Sequence, residues 1–368
     1  HPVHNVLNVT EEFQTFVFDK VYFQPVPSLL REFSAPVKLD YNWSDAQLTF
    51  LMRHASNEFS RWDAAQSLLA TYIKLNIARH QQGQALSLPQ HVADAFRAVL
   101  LEENSDPALT ALILTLPSEN EIAELFDTID PEAISSVRDA LMRTLSTELA
   151  DELLAVYYAN QSAEYHVEHA EIGKRSLKNV CLSYLALGEA TLAEKLVTAQ
   201  YQQANNMTDA LAALSAAVAA QLPCREALLT AFDERWHQDG LVMDKWFILQ
   251  ATSPAADVLS RVRGLLNHRS FSLSNPNRTR SLIGAFASAN PSAFHAIDGS
   301  GYQFLAEILA DLNTRNPQVA ARLIEPLIRL KRYDATRQGL MRKALEQLKG
   351  LDKLSGDLYE KITKALNA

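Results

Sequence analysis

Residues 205–254 read NNMTDALAALSAAVAAQLPCREALLTAFDERWHQDGLVMDKWFILQATSP, and three consecutive helices follow from that string. Asn206 or Thr208 can accept a hydrogen bond from a free N–H of a first turn, and Asp209 sets a carboxylate beside the positive helix end. Leu211, Leu214 and Val218 recur at helical spacing. Seven alanines between 210 and 220 keep the rest of that cylinder thin, so neighbouring helices can approach closely. Pro223 ends the run because it lacks an N–H and clashes with the preceding turn, and it suits the start of the next helix. Leu228, Phe232 and Trp236 then sit one turn apart. Gly240 stops the second helix, and Leu241 to Ala251 has only Asp244, Lys245 and Gln250 as clearly polar positions, so most of its circumference should be covered. A buried helical hub is expected.

The rest of the composition agrees with a helical chain. At 368 residues it can bury roughly 75% of its unfolded surface without disulfide staples. Glycine, which costs about 1 kcal/mol per helix-interior position relative to alanine, occurs only 11 times. The formal charge of −9 argues against a duplex-binding protein, which needs a clustered basic surface to displace counterions. Cys181 and Cys224 follow no metal spacing and are read as two reduced, buried thiols. No apolar run reaches the ~18 residues that span a bilayer. The start His1-Pro2-Val3-His4 is no signal sequence and reads as a cut end.

Two regions differ in pattern. Residues 1–41 mix aromatic and β-branched residues: Thr15 to Phe23 and Ala35 to Tyr41 alternate, with Pro25 and Pro27 between them. Two or three strands are expected there, too few to close a sandwich and in need of further strands or a helical surface to cover their edges. Residues 42–368 read almost wholly as helix. Ser44 with Gln47 forms a capping-box pattern, and helices are predicted over 63–81, 89–103, 107–114, 119–126, 131–158, 173–187 and 191–205. They continue past the hub near Ala255, Arg280, Tyr302, Gln318, Thr336 and Asp357. Helix pairs joined by short turns recur at about the 40-residue interval of armadillo and HEAT units, so a curved α-solenoid with one concave face is expected. Trp62, Trp236 and Trp246 are read as core, and Trp43 as a seal between strands and helices. The last helices, with Leu340, Met341, Leu345 and Leu348 and then Leu358, Ile362 and Leu366, are amphipathic. Their acids Glu346, Asp352, Asp357 and Glu360 make them a capping unit, not a membrane-binding pair.

The chemistry-bearing motifs are mostly missing. A zinc peptidase helix places two histidines four apart with a glutamate after the first. The nearest approach is His166-Val-Glu-His169, read as an exposed polar turn, with a weak metal pair on one helix face as the alternative. There is no Gly-x-Ser-x-Gly elbow, phosphate-binding loop or dinucleotide fingerprint. No catalytic residue and no metal ligand is therefore assigned. Gln318 and Arg322 lie four apart on a helix opened by Asn316-Pro317 and share a surface; Arg280 follows Asn275-Pro-Asn-Arg.

Several stretches carry a resemblance: Asn205 to Leu211, Trp236, Leu241-Val-Met-Asp-Lys-Trp-Phe, Asn275-Pro-Asn-Arg, Asn316-Pro-Gln-Val-Ala and Leu354-Ser-Gly-Asp-Leu-Tyr-Glu-Lys-Ile. Phe50-Leu-Met-Arg-His and Phe59-Ser-Arg-Trp-Asp-Ala-Ala-Gln extend it toward the amino end. Together they resemble the last domain of the bacterial aminopeptidase N family of zinc metallopeptidases, over essentially the whole chain. The resemblance implies a carboxy-terminal part: the end of a small β-sandwich over 1–41 and a helical cap over 42–368 that walls the catalytic cleft. The catalytic domain, the zinc and the Gly-x-Met-Glu-Asn substrate motif would lie upstream. It also implies that Arg280, Gln318 and Arg322 face the peptide substrate, a task suited to a guanidinium fork that grips a carbonyl or carboxylate with two bonds. The expected partners are the upstream catalytic domain and the peptide, with no nucleic acid and no membrane, in a cytoplasmic monomer. An independent helical-repeat scaffold binding a protein or peptide remains the alternative; half a sandwich at the amino end speaks against it.

Overall fold

In the hub, Asn206 caps a helix over Met207–Ala219 by accepting from the Asp209 N–H at 2.9 Å. Two further helices follow at Arg225–Trp236 and Gly240–Ala251. Leu214, Val218, Leu228, Phe232, Met243, Trp246 and Phe247 are buried, and Trp246 Nε1 donates to the Leu229 carbonyl at 3.0 Å, tying the second helix to the third. The third helix is less enclosed than expected, because Leu241 and Ile248 are exposed on the same side as Lys245.

Asp209 has a larger role than helix-end electrostatics. Its carboxylate meets Lys178 Nζ at 2.7 Å, with both side chains under a tenth exposed, and accepts from Asn179 and Asn206. Burial pushes its pKa up, but the hydrogen bonds from Lys178, Asn206 and Asn179 outweigh it and hold the carboxyl below the usual range. Gln200 closes this network between the Asp209 carbonyl and the Tyr157 hydroxyl.

The computed structural model describes residues 4–37 and 39–368, leaving out the side chain of Phe33; His1 to Val3, on which the reading of a cut end rests, and Lys38 lie outside them. Before the hub come helices at Asp45–His54, Glu58–Gln81, Gln90–Leu101, Pro107–Leu114, Glu119–Ala123, Pro131–Glu148, Ala150–Ala159, His169–Leu185 and Ala190–Gln203. The Ser44–Gln47 capping box is present with both of its bonds. Asp106 and Asp130 cap helices whose first residue is proline. The single helix expected over 131–158 breaks at Leu149 (φ −108°, ψ 15°), which is 1% exposed and lets the chain turn while staying in the core. Buried apolar residues from Leu48 to Ala365 form one continuous cluster. Cys181 is buried, its thiol pushed up to about 12 by desolvation, whereas Cys224 is only partly covered.

No strand exists among the described residues, so the strands expected at 15–23 and 35–41 are not seen. Alternating apolar residues suit a sheet face, but a strand needs a partner to satisfy its ladder. None is present among the described residues, and Val6, Phe13, Val17, Tyr22 and Phe23 are three-quarters or more exposed. This segment is fastened at its far end: Trp43 Nε1 donates to the Pro27 carbonyl at 3.0 Å, Arg31 to Ser56 Oγ and Asn57 to Glu32.

In an ideal solenoid each repeat touches only its neighbours. Here the stack curls until distant turns meet. Arg332 donates to the carbonyls of Phe126 (2.8 Å), Ala123 and Asp127, Ile129 N–H donates back to the Arg332 carbonyl at 2.7 Å, and Asn120 reaches the Ser288 carbonyl at 2.6 Å. Close packing is also enforced at Gly301, where a Cβ would overlap the Phe294 carbonyl oxygen.

Candidate functional site

Arg280 opens a π turn over Arg280–Gly284, between helices at Pro276–Thr279 and Ala285–Ala289. Such turns interrupt the regular bonding ladder and frequently mark functional positions. A Cβ on Gly284 would stand 3.3 Å from both Arg280 Cγ and Leu323 Cδ2, so this turn packs on the end of the Pro317–Leu323 helix, which carries Gln318 and Arg322. All three side chains are exposed. None of the three makes a hydrogen bond, ion pair or ring contact with another described residue.

Arg278, two residues away, behaves oppositely. It is 4% exposed, donates to Asp244 Oδ1 at 2.8 Å, to the Gly240 carbonyl at 3.1 Å and to the Ser270 carbonyl, and lies over the Phe247 ring. It locks the Asn275 turn to the third hub helix and holds Arg280 at the surface.

Gln318 and Arg322 line one wall of an open cleft of about 580 Å³; the other wall is the last helix, Gly356–Asn367, with Asp357, Glu360, Lys361 and Lys364. Arg280 is not among the residues lining it. Lys361 Nζ donates to the Ala321 carbonyl and to Glu325 Oε1, both at 2.6 Å. Sequence reasoning missed the contribution of the last helix: its acids pattern as ordinary cap surface, and nothing local in residues 356–367 says which neighbour they will face. The histidine pair gives no metal site. His169 begins a helix and His166 lies in the preceding turn, so they share no helix face, and no group of three metal-ligating side chains exists among the described residues. Among the described residues no helix is long and apolar enough to cross a membrane.

Two family models match the chain: a domain of unknown function (DUF3458) with an Ig-like fold over residues 1–42, and a domain of unknown function (DUF3458_C) described as ARM repeats over residues 45–367. The chain is 77% identical over its whole length to aminopeptidase N of Escherichia coli (strain K12) and 51% identical over 98% of its length to that of Haemophilus influenzae. It spans 42% and 41% of those proteins. Among solved structures, Legionella pneumophila aminopeptidase A in complex with aspartic acid superposes with a TM-score of 0.85 at 30% identity, covering 95% of this chain and 42% of that one. The helical-repeat architecture, the match to the ARM-repeat model and these identities agree: the chain belongs to the DUF3458_C family of ARM-repeat domains and corresponds to the carboxy-terminal part of bacterial aminopeptidase N.

Proposed function

We propose that this chain caps and walls the cleft of a zinc aminopeptidase that removes amino-terminal residues from peptides, and that it is not catalytic alone. The observation carrying the proposal is the state of Arg280 and Arg322. Both guanidiniums are exposed and unpaired among the described residues on adjoining turns, with Gln318 one helical turn from Arg322. A free guanidinium fork lining a polar cleft, with a second on the adjoining turn, suits the carbonyls and terminal carboxylate of a peptide's downstream end.

The described residues do not fit a zinc ion, so the metal and the residues acting on the scissile bond are assigned to the region of the relatives that this chain does not span. That catalytic region is the proposed principal partner. The Ig-like match over 1–42 and the exposed apolar residues of that segment support a sandwich completed by strands of the longer protein, with a domain boundary at 41/42 beside Trp43. A cytoplasmic monomer is part of the same proposal, consistent with two free thiols.

Hydrolysis of an alanyl chromogenic amide by the purified chain, with and without chelator, alongside its zinc content, is the direct test. Neither activity nor zinc is expected. Chelator-sensitive turnover would overturn the assignment of the chain as a non-catalytic cap.

A further inference from the structure

The helix that presents Gln318 and Arg322 has seven residues. A helix this short does not hold its shape unaided, since forming the first turn costs more than so few bonds return. Its start is fixed by Pro317 and by Asn316, whose side chain accepts from Val319 N–H at 3.2 Å, and its inner face by buried Ala320 and Leu323. Its end is fixed from another element. The last carbonyls of a helix lack intrahelical partners, and the carbonyl of Ala321, immediately before Arg322, is taken by Lys361 Nζ at 2.6 Å. The same ammonium bonds Glu325 at 2.6 Å, so it clips both sides of the turn at Ile324 that ends the helix. A cation at a helix carboxy end is also favoured by the peptide dipoles.

Lys361 sits in the cleft wall it stabilises. Lys364, Asp357 and Glu360 line the same cleft and make no hydrogen bond or ion pair with another described residue. A cleft with free charges of both signs suits a polar ligand rich in main-chain groups, not an apolar one.

We propose that Lys361 is a positioning residue for the downstream end of the peptide: by holding the end of the Pro317–Leu323 helix against the last helix, it orients Gln318 and Arg322 toward the substrate. The proposal rests on the reading of Arg322 as a substrate contact. The test uses the full-length protein carrying this chain, with Lys361→Met, Lys361→Arg and Arg322→Ala, and compares a tripeptide with an alanyl chromogenic amide that has no residue beyond the scissile bond. Lys361→Met should raise the ratio of tripeptide KM to amide KM about tenfold with kcat changed far less, the pattern of lost uniform binding. Lys361→Arg should restore most of it, and Glu325→Gln, which loosens the ammonium while leaving the lysine, should shift the ratio in the same direction by less. In hydrogen exchange, amides of residues 320–324 should exchange faster in Lys361→Met.

An unchanged KM ratio or unchanged exchange overturns the positioning role, as does an equal loss on both substrates. Arg322→Ala separates the two levels. If it leaves tripeptide KM unaltered, the substrate-end reading itself fails; if it raises that KM while Lys361→Met does not, the positioning role alone fails.

Discussion

Arg278 and Arg322 show how the molecule treats the same guanidinium in two regions. In the hub Arg278 is enclosed, with an aspartate, two backbone carbonyls and an aromatic face meeting its planar fork. At the cleft Arg322 is exposed and has no hydrogen-bond or ionic partner among the described residues. A buried charge persists only when it is fully paired, because desolvation costs several kcal/mol per ion. An exposed, unpaired one contributes little to folding and keeps its hydrogen-bonding capacity for something else. The difference separates the architectural arginine from the one proposed for recognition more sharply than residue type does.

The largest test of that contrast is Arg278→Met. It leaves Asp244 and the carbonyls of Gly240 and Ser270 without their donor, so a loss of about 3–5 kcal/mol is expected, read as a fall in thermal midpoint. A midpoint within a degree of the parent would mean that the enclosed arginine is no more structural than the free one.

Acidification sharpens the same point with a group buried beside a like charge. His295 is 3% exposed, bonds the Tyr302 hydroxyl at 2.7 Å and stacks on Tyr333. Desolvation, helped by the Arg337 charge and opposed by Asp334, pushes its pKa down to about 3. Between that value and the ordinary 6.5 the unfolded chain takes up a proton that the folded chain refuses. The stability held above pH 6.5 therefore falls as pH drops, by about 2 kcal/mol at pH 5. His295→Gln should flatten the slope between pH 6.5 and 5 in denaturation midpoints; an unchanged slope would remove His295 as its source.

The smallest effect belongs to the two exposed arginines. Arg280→Ala and Arg322→Ala should each change stability by less than about 0.5 kcal/mol, measured by the same thermal midpoints. A loss approaching that of Arg278→Met would place these arginines in the architecture and break the comparison.

The sequence alone determined the helical-repeat class and many of its punctuation marks. The Ser44–Gln47 box, the caps at Asp106 and Asp130 before proline, and the start at Asn206 are legible because each is settled by bonds spanning three or four residues. The same local reading placed Gln318 and Arg322 on one helix face. It gave strand patterns to 15–23 and 35–41 for the opposite reason: alternation is local, but a strand exists only with a partner, which among the described residues is missing. Tertiary structure alone decided which arginine of Asn277-Arg-Thr-Arg is buried, since Asp244 lies 34 positions before Arg278. It also decided the break at Leu149, the seam joining Arg332 to residues 123–129, and the pairing of Lys361 with Ala321 across 40 positions. Those outcomes depend on which surfaces meet once the helices pack, and a window of one helix holds no information about what lies opposite it.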